Sequence, residues 1–124
     1  MKSLAVLLFL TTSAVATEHY AGEYDNVDPA TRAWFKSVRS PHGVPCCDIA
    51  DGHHTQAKQS TRTEEEIQHG MSEWWTVVEG EWMQVPLNSV VYNAGNPTGD
   101  AVVWYTRQGG GAVYIRCFVP GGGV

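Results

Sequence analysis

Between Pro41 and His54 the chain reads Pro-His-Gly-Val-Pro-Cys-Cys-Asp-Ile-Ala-Asp-Gly-His-His. This stretch holds two of the three cysteines and three of the five histidines. Four kinds of chemistry are open to such residues. His42, Cys46, Cys47, Asp51, His53 and His54 are all ligand types, and Cys and His at short spacings suit zinc or copper. No C-x2-C or H-x3-H pair is present, however, and His53 and His54 would point to opposite faces of an extended segment. A thiol left unpaired could be activated by His42 or His53 as a nucleophile. No C-x-x-C redox motif accompanies it. Asp48 and Asp51 are close enough to invite a paired-carboxylate reading, but in a stretch this rich in glycine and proline they more simply cap turns through their side chains. Gly109-Gly110-Gly111 joins two apolar runs and opens no helix, so it is not a phosphate-binding loop.

The fourth chemistry is oxidation. Residues 1–16 read as a secretory signal peptide: Lys2 supplies the positive end, Leu4 to Leu10 the apolar core, and Ala14-Val15-Ala16 the cleavage site. The apolar run falls short of the ~20 residues that span a bilayer. Cleavage leaves 108 of the 124 residues, and the expected location is periplasmic or secreted. Three cysteines in an oxidising compartment allow one intramolecular disulfide. Bridging the neighbours Cys46 and Cys47 would strain them, because the bond wants Cα atoms ~5.5 Å apart. The expected bond therefore joins Cys117 to Cys46 or to Cys47. It closes a loop worth ~4 kcal/mol in lost chain entropy.

Composition narrows the partners. Without Lys2 the chain has 7 basic and 13 acidic residues, a charge of −6 with histidine neutral. Nucleic-acid binding relies on Lys and Arg against phosphates, so it is not expected. No basic cluster favours an anionic membrane surface, and no membrane span is expected after signal cleavage. Five Trp and five Tyr are read first as large core side chains. The alternative is an aromatic ligand-binding face, for which Trp75, Trp82 and Trp104 are the candidates. The partner is a protein or a small molecule that the residues do not specify.

The elements that must position these residues follow from local signals. Residues 17–27 are polar and expected to be flexible. Asp28 is a candidate N-cap and Pro29 suits the first helical position, so a helix is expected over Ala30 to Val38. Trp34, Phe35 and Val38 form its apolar stripe, with Arg32 and Lys36 on the other side. His53 to Ser60 is a weakly alternating, exposed strand. Thr61-x-x-Glu64 and Thr63-x-x-Glu66 both match a capping box, with room for a turn or two of helix before Gly70. Residues 73–85 read as a hairpin turning at Glu79-Gly80, with Val77 facing Trp82, Trp75 facing Gln84 and Trp74 facing Val85. Two more strands, 101–106 and 112–119, flank the glycine run. The expectation is a single β-rich domain over 28–120 with a flexible tail at 121–124. Its fold class is mainly β: a small, strongly curved, barrel-like antiparallel sheet with one N-terminal helix, stapled by the disulfide.

The order Cys46-Cys47-Asp48-x-x-Asp51-Gly52, Gly80-x-Trp82-x-x-Val85-Pro86 and Arg116-Cys117-Phe118-x-Pro120-Gly121 resembles a set of small exported proteobacterial proteins of unknown function. Trp34-Phe35, Ser40-Pro41 and Val103-Trp104 extend the likeness over nearly all of the chain after residue 16. The resemblance implies export, one domain and a Cys-Cys loop tied to the last strand. It carries no catalytic or binding residue. Some members have a cysteine where Gly52 stands here. The chain is thus read as an exported binding or accessory protein of the bacterial envelope. A periplasmic metal-binding protein and a thiol-dependent enzyme are the alternatives.

Overall fold

The computed structural model describes residues 27–48 and 50–122, with Asp48 by its backbone alone. The signal peptide at 1–16, nearly all of the segment 17–27 and half of the tail 121–124 lie outside the described residues. Asp28 starts the first helix, α1 (Pro29–Ser37), by accepting bonds from the Thr31 N–H at 3.0 Å and the Thr31 hydroxyl at 2.6 Å. Pro29 occupies the first turn, where its missing N–H costs nothing. The helix stops at Val38, which is extended, one residue earlier than the sequence implies. The cause is a small return loop: Arg39 bridges Pro45, and the Cys46 N–H donates to the Val38 carbonyl at 3.0 Å. This loop delivers a helical turn, Cys46–Asp48, against the end of α1.

Six strands follow in two three-stranded antiparallel sheets. β1 (Gly52–Thr55), β5 (Ala101–Arg107) and β6 (Val113–Val119) form one, in the order β1-β5-β6. β2 (Ala57–Gln59), β3 (Met71–Val78) and β4 (Glu81–Pro86) form the other, in the order β2-β3-β4. The expected mainly β, disulfide-stapled architecture is therefore present, but the single barrel-like sheet is not: the two sheets do not close on each other. The expected strand 53–60 breaks at Gln56, where the chain leaves one sheet for the other. Side chains hold that corner. Thr55 donates to the Val77 carbonyl at 2.7 Å, and the buried Thr76 hydroxyl lies 3.0 Å from the Gln56 carbonyl.

Alternation along β5 divides the core. Ala101 and Val103 face Trp74, Val78, Val85 and Phe118 between the sheets. Val102 and Trp104 face Phe35, Val38, Cys46 and Cys117 on the other side, under α1. The layers are thus helix and Cys loop, first sheet, second sheet. A short second helix, α2 (Glu64–Gln68), begins with the capping box at Thr63 and Glu66, not with the match at Thr61 and Glu64. It qualifies the expectation of one helix. The β3–β4 hairpin turns at Glu79-Gly80, both at positive φ, as a two-residue turn of this hand requires. Among the described residues no helix is long and apolar enough to cross a membrane.

Candidate functional site

The neighbouring cysteines have different fates. Cys46 is bonded to Cys117 with Cα atoms 5.8 Å apart, and both are fully buried. The staple spans 71 positions and pins the loop to the middle of β6. Cys47 is the free thiol. Its Sγ accepts a bond from the Trp104 indole N–H at 3.1 Å, and its S–H lies 3.1 Å from the Phe35 carbonyl. Trp104 pairs with Cys117 across β5 and β6. One buried indole thus touches the strand that carries the staple and the sulfur that escapes it.

Cys47 lines a cavity of about 330 Å³ under the flank of α1. Phe35 and Gly52 complete its apolar wall, while Arg32, Lys36 and Asp51 are also in its lining. Gly52 is there because nothing larger fits: a Cβ would lie 2.7 Å from the Phe35 ring and 2.9 Å from Trp104. Burial pushes the Cys47 thiol above its ordinary 9.0. The Trp104 bond pulls the other way, Asp51 adds to the rise and Lys36 offsets it. The group is therefore a neutral thiol at physiological pH, a weak nucleophile. Among the described residues that line this cavity none is a histidine. His42 and His53 are thus not beside the sulfur to take its proton.

His53 and His54 instead line a separate polar groove of about 540 Å³ at the corner between the sheets. The His53 ring packs on Tyr105 at 5.2 Å. His54 Nδ1 is 3.4 Å from Asp100 Oδ2, but both side chains are more than half exposed, so the pair is weak. Burial, and then the charge of Glu79, raises the Tyr105 phenol. The zinc or copper set drawn from the sequence is not assembled. Cys46 is oxidised, Cys47 and Asp51 line the cavity, His53 and His54 line the groove with the His54 ring also 6.0 Å from Phe35, and His42 sits exposed in the return loop. Among the described residues no three His, Cys, Asp or Glu side chains converge as metal ligands.

The three candidate tryptophans also separate. Trp104 is fully buried and has no surface to offer. Trp75 and Trp82 lie on the outer face of the second sheet, where the Lys58 ammonium sits 4.3 Å from the Trp82 ring and 5.9 Å from Trp75. Trp82 is 41% exposed and Trp75 half-buried. The sequence reading missed Arg32, Phe35 and Lys36 as site residues. The signal was there: positions i, i+3 and i+4 of a helix share one face, so a core aromatic at 35 brings 32 and 36 to its margin. The chain matches no protein-family model, no curated protein and no solved structure.

Proposed function

We propose that the protein is an exported binding protein of the bacterial envelope, and that it holds a small, largely apolar ligand in the cavity beside Cys47. The observation that carries this reading is the combination of volume and wall. About 330 Å³ lies at the lower end of the range of small-molecule sites. The wall is aromatic and sulfur, with charged groups only among a few of its residues, and the disulfide holds the loop behind it. The staple fits an oxidising compartment, in keeping with the periplasmic or secreted location. Catalysis by Cys47 is disfavoured by its raised pKa and because no histidine is among the described residues that line its cavity.

The test is titration of the oxidised protein with the neutral fluorophore N-phenyl-1-naphthylamine. Saturable binding with quenching of tryptophan emission is expected, because Trp104 abuts the cavity through Cys47. Alkylating Cys47 places a group inside the cavity and is expected to abolish the signal. A titration that never saturates, or one indifferent to alkylation, overturns the proposal.

A further inference from the structure

We infer that the ligand is an amphiphile with one anionic group: a carboxylate held by Lys36 and Arg32, with its hydrocarbon against Phe35 and the Cys47 sulfur. This rests on the cavity being a binding site, as proposed above. Arg32 and Lys36 are one turn apart on α1 and both line the cavity. The Lys36 ammonium makes no hydrogen bond or ion pair with any described residue. Arg32 uses one guanidinium nitrogen on the Val27 carbonyl at 2.9 Å, and the fork has further N–H groups to donate. Asp51 lines the same cavity and has an interaction of its own.

Among the described lining residues two cations stand against one carboxylate, an excess of positive charge in a chain whose total is −5. The chain as a whole repels anions, so an anion would be drawn here by local charge and not by the net field. Asp51 restricts that attraction to a single charge, because a dianion would meet it. The wall beneath is uncharged, since burial keeps Cys47 protonated. Polar head and apolar tail are therefore matched by cations at one side of a neutral, apolar hole. The volume suits a medium-length chain or a single ring.

The experiment compares octanoate, 1-octanol and octylammonium by calorimetric titration of the oxidised protein, at low and at physiological ionic strength. Octanoate is expected to bind about fivefold tighter than octanol, the advantage of a partly exposed ion pair, and octylammonium more weakly than octanol. Raising the salt should narrow these gaps. Lys36→Gln, a change at an exposed position, should remove most of the advantage of octanoate over octanol. Octanol equal to octanoate, octylammonium the tightest, or a Lys36→Gln variant that keeps the full preference overturns the head-group assignment while the cavity reading stands. If none of the three compounds saturates, both fall.

Discussion

Replacing both members of the staple, Cys46→Ala with Cys117→Ala, should bring the domain close to unfolding at 37 °C. The bond joins positions 71 apart, and cross-linking a loop of that size removes about 4 kcal/mol of chain entropy from the unfolded state. Both cysteines are fully buried. Losing two packed sulfurs from an interior that relaxes only in part adds roughly 1–2 kcal/mol. The expected loss is about 5–6 kcal/mol, against a total of about 5–15 kcal/mol for a domain of this kind. Urea unfolding followed by tryptophan emission measures it. The denaturant slope should rise as well, because the unfolded chain without the cross-link exposes more surface. Cys47→Ala is the control, since that side chain is outside the staple. A double variant within about 1 kcal/mol of the parent, with the same slope, would refute the entropic argument. A Cys47→Ala variant as unstable as the double one would refute the pairing itself.

Gly52→Ala should cost about 1–3 kcal/mol, as overpacking does, because its Cβ would meet Phe35 and Trp104 at 2.7 and 2.9 Å; a neutral result in the same urea assay would mean that the rings yield freely. Cys47 should make stability fall at alkaline pH. Its folded pKa is raised above 9.0, so the folded state holds the proton more tightly than the unfolded chain, and stability is lost as pH rises from the unfolded value through the folded one. Unfolding measured at about pH 8 and about pH 10 should show a steeper decline for the parent than for Cys47→Ala, and equal declines would contradict the burial of the thiol. Thr63→Ala should cost about 1 kcal/mol, read as faster amide exchange over α2, since the capping box also fixes Glu66, whose Oε2 accepts from Gln84 at 2.8 Å. Unchanged exchange would show that contacts with β3 alone hold the helix.

What was legible in the chain was local or covalent. Asp28-Pro29 announces α1 because cap and first turn lie within a few residues. Glu79-Gly80 announces the hairpin, and the register that follows from it, Val77 with Trp82 and Trp75 with Gln84, is the one observed. The expected pairing of Trp74 with Val85 is not. The register shifts between Met71 and Trp75 because the buried Ser72 hydroxyl donates to the Val85 carbonyl at 2.6 Å and accepts from the Trp74 N–H at 3.1 Å. A side chain replaces a ladder bond there, and no alternation pattern reveals it. The break at Gln56 was equally hidden, because it is held by Thr55 and Thr76, twenty-one positions apart.

The choice between Cys46 and Cys47 shows why a site can escape a reading that finds all its ingredients. Successive side chains in a tight helical turn diverge around its axis by about 120°. The two sulfurs cannot then both point into the core. Which one goes in is decided by the bridge from Arg39 to Pro45, which lays Cys46 beside Val38 at the end of α1. That bridge depends on where α1 stops, and so on packing that no residue near the doublet encodes. Once Cys46 is taken by Cys117, Cys47 is left under the flank of α1, where Phe35, Gly52 and Trp104 already crowd together. The cavity thus arises from the same event as the staple. Alternation along β1 sends His53 to Tyr105 on the far face and keeps His54 on the Gly52 face, its ring 6.0 Å from Phe35, and the wall is built from a helix whose charges looked like an ordinary solvated face.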